Sequence, residues 1–177
     1  MKQKAVFLDR DGVINEDNPN YVWRVDDFHI LPRVVEAIQR LKQAGYVLIV
    51  VTNQSGIAKG LYHKTDVLNC WDYLQEACGG VIDAHYFAPH HPLYDTASLA
   101  RKPDSLMLEK AIAKFNLDRA QCWLVGDSER DIIAAGKQQI RSIKVRTGKN
   151  ETSPTRADLF AEDLYHASEL IVLGNEK

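Results

Sequence analysis

The sequence predicts an α/β chain folded as a Rossmann-like three-layer sandwich: a mainly parallel sheet, helices on both faces, and no large cap domain. Three observations lead there. Short, continuously apolar runs alternate with segments of helical periodicity, the pattern of strands buried on both faces of a parallel sheet. Polar clusters at Asp9–Asp11, Thr52–Gly56 and Gly126–Asp131 follow directly on three of those runs, and in such sheets ligands bind beyond the carboxyl ends of the strands. With 177 residues, 45% of them hydrophobic and 26% charged, the chain has material for one ordinary core, expected to be a single domain spanning 1–177.

The elements follow in order. Ala5–Leu8 is apolar and ends abruptly in Asp9, Arg10, Asp11 and Gly12, as a buried strand opening into a polar loop should. Pro32 marks the first turn of a helix carried by Val34, Val35, Ile38 and Leu41, with Gly45 as its stop. Val47–Val51 is the second strand. A helix over Thr65–Cys78 is expected to turn Leu68, Trp71, Leu74 and Cys78 to one face. Tyr86 and Phe87 close a third strand, and the proline-rich stretch from Pro89 to Pro103 is loop. A helix then fits Ser105–Phe115, a fourth strand Cys122–Val125, a helix Asp131–Gln138 and a fifth strand Ser142–Val145. The stretch from Asn150 to Arg156 is polar and turn-like, and Leu159–Leu173 is expected to add an edge strand and a short helix.

Composition narrows the partners. Twenty-two basic residues against 24 acidic ones give a formal charge of -2, which argues against bulk nucleic acid or an anionic membrane surface as the main partner. No apolar run approaches the roughly 18 to 20 residues that cross a bilayer. Cys70, Cys78 and Cys122 have no CxxC spacing and cannot all pair, so they read as reduced thiols of a cytoplasmic protein. A monomer acting on a small molecule is expected.

The chemistry concentrates after the strands. Asp9 and Asp11 flank Arg10, so both carboxylates can project to one side of an extended segment. One such acid can attack an electrophile while the other carries a proton to the leaving group and from water. Thr52 and Asn53, with Ser55 and Gly56 beyond, offer donors suited to phosphoryl oxygens, although the same residues also make ordinary turns. Lys102, between Arg101 and Pro103, supplies a cation ahead of a helix. Asp127 is placed to share a hard cation with Asp9, since magnesium takes oxygen ligands and commonly one or two carboxylates. Asp131 fits either a supporting role behind that group or a favourable charge at a helix N-terminus.

In order, DRDGV, TNQSG, RKP and GDSERD resemble the four motifs of the haloacid dehalogenase-like phosphohydrolases, over Ala5 to about Gly148. The resemblance implies Asp9 as a nucleophile forming an aspartyl-phosphate and Asp11 as general acid and base. It implies Thr52 and Lys102 as stabilisers of the transferring phosphoryl group. Mg2+ would be held by Asp9, the backbone carbonyl of Asp11 and Asp127, with Asp131 behind them.

Details narrow the resemblance. DRDGVIN, Tyr21-Val22, TNQSGIAKG, PHHP, RKP and VRTGK (Val145 to Lys149) look like the heptose bisphosphate phosphatases, and somewhat less like the related histidinol-phosphate phosphatases. That family removes the 7-phosphate of a heptose 1,7-bisphosphate on the way to nucleotide-activated heptose for lipopolysaccharide core or other surface glycans. By position, Asp17 to Tyr21, Asn53, Gln54, Ser55, Arg101 and Ser128 would contact substrate, Arg101 clasping the phosphate that does not react. Many members bind zinc through three cysteines and a histidine in the loop before RKP. Here the loop keeps only His90 of that set, and one imidazole cannot make a closed tetrahedral site, so no structural zinc is expected. A histidinol-phosphate or other sugar-phosphate phosphatase, and a binding module without turnover, are the rival readings.

Overall fold

The computed structural model describes residues 1–148 and 156–174. Its centre is a sheet of six parallel strands: β1 (Ala5–Leu8), β2 (Val47–Asn53), β3 (Ala84–Ala88), β4 (Trp123–Gly126), β5 (Arg141–Val145) and β6 (Leu159–Ala161). Their order across the sheet is β3-β2-β1-β4-β5-β6. The chain winds outward one way from β1 and then the other way from β4. A crevice therefore opens at the carboxyl ends of β1 and β4, the switch point where ligands of such sheets bind.

Five helices cover the sheet: α1 (Val34–Gln43), α2 (Lys64–Ala77), α3 (Leu106–Phe115), α4 (Glu129–Lys137) and α5 (Leu164–Leu173). Side chains alternate along a strand, so β1, β2 and β4 each feed two cores. Val6, Leu8, Leu48, Val50 and Val125 pack with α1, α2 and α5; Ala5, Phe7, Ile49, Val51 and Leu124 pack with α3 and α4. Continuous burial of β1 and of all but the last residue of β2 is why these strands read as unbroken apolar runs.

Most expected elements are present with shifted ends. The α4 helix starts two residues before the expected Asp131, because Ser128 rather than a later residue caps it. Within α2 the inward residues are Val67, Cys70 and Leu74, followed by Cys78 at the cap, whereas Leu68 is exposed. The sequence carries two overlapping apolar stripes on this helix, and the one through Cys70 is buried. All three cysteines are free and buried. Burial pushes the Cys78 and Cys122 thiols up to about 11, which makes them poor nucleophiles. The turn expected from Asn150 lies, apart from Arg156, outside the described residues, as does Lys149. Among the described residues no helix is long and apolar enough to cross a membrane.

Candidate active site

The segment after β1 builds one wall of the crevice. Its tight turn is closed by the Arg10 carbonyl, which accepts from Ile14 N at 2.8 Å, and by Gly12 N donating to Asn15 O at 2.8 Å. Residues near Ile14–Glu16 then pair with those near His29–Leu31, carrying the loop of Asp17–Tyr21 out along the crevice. The result is a cleft of about 400 Å³. It is lined by Asp9, Asp11, Asp127 and Lys102 at its base and by Asp17, Tyr21, Ser55 and Arg101 among its walls.

Asp9 leaves β1 and its backbone N–H donates to Val125 O of β4 at 3.0 Å, which puts it across the switch point from Asp127. Lys102 Nζ donates to Val51 O at 2.8 Å and is ion-paired with Asp9 Oδ1 at 2.8 Å and Asp131 Oδ1 at 2.6 Å. Burial alone would lower this ammonium's pKa, but Asp131 and Asp9 outweigh it and the net displacement is upward, so the charge is fixed. Its backbone is gripped as firmly: Lys102 N donates to Asn53 Oδ1 and Asn53 Nδ2 donates to Lys102 O, each at 3.0 Å. Asn53 thus lines the cleft while its amide holds the lysine in place.

Carboxylate oxygens of Asp9, Asp127 and Asp131 lie within 4.8 Å of one another. Desolvation and the Asp131 charge drive Asp9 well above the ordinary aspartate range, against the pull of Lys102. The same two causes push Asp127 up to about 6. Asp131 is itself committed, with Oδ1 on Lys102 and Oδ2 accepting from Ser128 Oγ (2.6 Å) and Ser128 N (3.2 Å). Asp131 is thus ion-paired with the lysine and also closes the N-terminal cap of α4. That leaves Asp9 and Asp127 as a pair of crowded hard oxygen donors, a set that suits Mg2+ and whose repulsion a divalent cation would cancel.

Glycine makes the crowding possible. A Cβ on Gly126 would lie 2.3 Å from Asp131 Cβ, and one on Gly148 would lie 1.9 Å from Asp127 Oδ2. Both carboxylates pack directly on backbone that no other residue type could supply.

Asp11 also lines the cleft, with its carboxylate in a cradle of donors. Oδ1 accepts from Arg10 Nε (3.1 Å), Arg10 Nη2 (2.6 Å) and Asn15 Nδ2 (2.9 Å), and Oδ2 from Gln54 Nε2 (3.2 Å). Arg10 is buried under the post-β1 segment, where Nη2 also donates to Val22 O at 2.6 Å. Thr52 Oγ1 accepts from Gln54 Nε2 at 2.9 Å, which leaves the threonine's own proton for a ligand.

Most of the sequence-predicted substrate residues come together here: Asp17, Tyr21, Asn53, Ser55, Arg101 and Ser128 all line the cleft. Gln54 does not. It is 1% exposed and faces Asp11, Thr52 and Tyr62 behind the cleft wall, so its expected contact with substrate is corrected. Two further positions are part of the wall. Arg130 faces the cleft from the first turn of α4, and burial together with the charge of Arg130 lowers the pKa of Arg101. A basic residue in a first turn opposes the helix dipole, and that was the available signal. His91 is the other, set in place by Asp95, whose Oδ1 accepts from His91 N at 2.7 Å and whose Oδ2 lies 2.6 Å from His90 Nδ1. Those hydrogen bonds, from His91 and then His90, hold the Asp95 carboxyl down at about 2.

Comparison with known proteins agrees with this geometry. A family model described as HAD-hydrolase-like matches residues 99–167. The D-glycero-beta-D-manno-heptose-1,7-bisphosphate 7-phosphatase of Haemophilus ducreyi is 39% identical over 93% of this chain and 96% of its own length. The D-glycero-alpha-D-manno-heptose-1,7-bisphosphate 7-phosphatase of Burkholderia mallei is 42% identical over 76% of this chain and 75% of its own. Among solved structures, the D,D-heptose 1,7-bisphosphate phosphatase from B. bronchiseptica, complexed with magnesium and phosphate, superposes with a TM-score of 0.88 at 33% identity, covering 99% of each chain. With an all-parallel sheet, a switch-point cluster of aspartates around one lysine, and relatives matched along almost its full length, the chain belongs to the heptose 1,7-bisphosphate 7-phosphatase family of HAD-like hydrolases.

Proposed function

We propose that the chain, acting as a single domain and a monomer, is a Mg2+-dependent phosphomonoesterase. Its substrate on this reading is D-glycero-D-manno-heptose 1,7-bisphosphate, and it removes the 7-phosphate during synthesis of nucleotide-activated heptose. One observation carries the reading: a single cleft holds Asp9, Asp11, Asp127 and Lys102 at its base and two guanidinium groups, Arg101 and Arg130, on its walls. The base suits one phosphoryl group and the two like charges above it suit a second anion.

In the proposed mechanism Asp9 attacks phosphorus. The Asp9 O–P bond forms as the bond from phosphorus to the sugar oxygen breaks, and Asp11 gives its proton to that oxygen. Water then attacks the aspartyl-phosphate and loses its proton to Asp11, and the Asp9 O–P bond breaks to release phosphate. Lys102, fixed by Asp131 and Val51 O, and the free proton of Thr52 stabilise charge on the moving phosphoryl oxygens. Mg2+, held by Asp9, Asp127 and the backbone carbonyl of Asp11, would offset the carboxylate repulsion and polarise the phosphoryl group. The loop at 88–101 is organised by Asp95 and its hydrogen bonds to His90 and His91, which supports a reading without zinc.

Histidinol phosphate carries one phosphate and a cationic side, which two arginines on the wall disfavour. The test is kcat/KM for heptose 1,7-bisphosphate, fructose 1,6-bisphosphate and histidinol phosphate with MgCl2 present, alongside Asp9→Asn. The heptose bisphosphate should be preferred and Asp9→Asn should fold but not turn over. Absence of phosphate release from every phosphorylated sugar would remove the enzyme reading.

A further inference from the structure

Gln54 sits where its side chain cannot reach substrate, yet each of its polar side-chain atoms is used. Oε1 accepts from the Tyr62 hydroxyl at 2.7 Å; Nε2 donates to Thr52 Oγ1 at 2.9 Å and to Asp11 Oδ2 at 3.2 Å. Gln54 and Tyr62 are both buried, at 1% and 3% exposure. The Tyr62 ring in turn stacks on Trp23 with centroids 6.0 Å apart and planes 10° from parallel, and meets Tyr21 edge-on at 6.0 Å. It also fills the space beside Gly56, where a Cβ would come within 2.0 Å of it.

We propose that Tyr62 and Gln54 are positioning residues for Asp11, acting as a two-link chain that sets the direction of its proton-carrying oxygen. This rests on the reading of Asp11 as general acid and base given above. Oδ1 of Asp11 is taken by three donor contacts from Arg10 and Asn15, so the oxygen available to carry a proton is Oδ2. The Gln54 amide nitrogen can only donate. It therefore fixes Oδ2 through one lone pair without competing for the proton.

The flipped amide would do the reverse. It would turn Oε1 toward Asp11, where a carbonyl oxygen would repel the carboxylate or capture the proton meant for the leaving group. The Tyr62 hydroxyl opposes the flip: its proton now has an acceptor in Oε1, and after the flip it would face the amide's N–H donors and have to turn that proton elsewhere. Tyr62, which touches no substrate in this arrangement, thereby decides whether Asp11 can act as an acid.

Leaving-group dependence separates this role from a merely structural one. A sugar alkoxide needs a proton to depart, whereas p-nitrophenolate leaves without one. The experiment measures kcat/KM on heptose 1,7-bisphosphate and on p-nitrophenyl phosphate for the wild type, Asp11→Asn, Gln54→Leu and Tyr62→Phe, with thermal melts of each. General acid catalysis contributes on the order of 10²- to 10⁴-fold, so loss of its aim in Tyr62→Phe should cost about tenfold or more on the sugar ester. The aryl ester should stay within about twofold of wild type, since its transition state asks little of the acid. Gln54→Leu should add a loss shared by both esters, because Thr52 Oγ1 loses its donor as well, so Tyr62→Phe, which deletes one oxygen atom, carries the test. Equal losses on both esters, or none on either, would overturn the positioning role. If Asp11→Asn itself lacks the selectivity, the reading of Asp11 fails instead.

Discussion

Lys102 Nζ lies 2.6 Å from Asp131 Oδ1, and Asp131 is completely buried. The partner that fixes the lysine is thus a carboxylate that solvent does not reach and that is crowded by two others. Removing the cation and removing this anion should therefore differ. Lys102→Met strips the charge from among three carboxylates and, as for other broken buried pairs, should cost about 3 to 5 kcal/mol of stability along with all turnover. Asp131→Asn weakens the grip on Lys102 but also removes the charge that most raises Asp9 and Asp127, so it should cost distinctly less stability while still lowering kcat. Urea unfolding and steady-state kinetics of the two variants decide this; equal stability losses would speak against the arrangement.

The displaced aspartates set a pH dependence of unusual sign. Asp127 keeps its proton in the folded chain up to about pH 6, whereas in the unfolded chain it gives it up near pH 4. The folded state then binds the extra proton between these values, and the metal-free protein should lose stability as pH rises through that window. Asp9 is displaced the same way and adds to the loss. Asp95, held at about 2, has the opposite sign and a lower window, its contribution fading as pH falls below 4. On the proposed reading Mg2+ would compete with the protons on Asp9 and Asp127. Melting curves with EDTA or excess MgCl2 should show a small metal-induced rise in Tm at pH 4.5 and a large one at pH 7.5, and a rise independent of pH would contradict the assignment.

Arg101 and Arg130 give a prediction about substrate affinity. Arg101 Nη1 donates to Ser55 Oγ at 2.7 Å, so the guanidinium is anchored with most of its donors unused among the described residues. A charge-assisted hydrogen bond is worth about 1.5 to 3 kcal/mol, or about 10- to 100-fold in affinity. Arg101→Ala should raise KM for a sugar bisphosphate by about that factor, Arg130→Gln by about tenfold, and neither should change KM much for a monophosphate. If bisphosphate and monophosphate suffer alike, the arginines serve the reacting phosphate or the fold instead.

What the sequence shows and what it hides differ in kind. Strands buried on both faces leave an unbroken apolar signature, so Ala5–Leu8 is legible residue for residue, and the aspartates and lysine at the strand ends stand out by their company. Side-chain direction is not legible in the same way. Gln54 has the composition of a ligand contact, and only the fold reveals that its amide turns inward to Asp11 and Tyr62. Leu68 and Cys70 in α2 both sit on stripes of correct period, and packing against β2 and β3 selects the second. Arg130 stands in GDSERD without marking itself as a ligand contact, because an exposed arginine is ordinarily solvated.

Gly148 offers the sharpest test of the metal pair. A methyl group there would overlap Asp127, reaching 1.9 Å from Oδ2 and 2.4 Å from Cβ. Asp127 is buried and short, and Gly12 hems it in from another side, with a notional Cβ 2.5 Å from the same oxygen. Relief of the overlap must therefore displace the Asp127 carboxylate or the backbone that it packs on. Gly148→Ala should therefore weaken Mg2+ binding by on the order of 10- to 100-fold, the range seen when groups that orient metal ligands are disturbed, and high MgCl2 should recover much of the activity. Gly45→Ala is the fitting control. Its φ of +82° strains any side chain, but its nearest neighbour is 3.7 Å away and far from the cleft. It should cost about 1 kcal/mol of stability and leave the Mg2+ requirement unchanged. Should Gly148→Ala instead lower Tm while its Mg2+ dependence matches wild type, Asp127 would not be holding the metal.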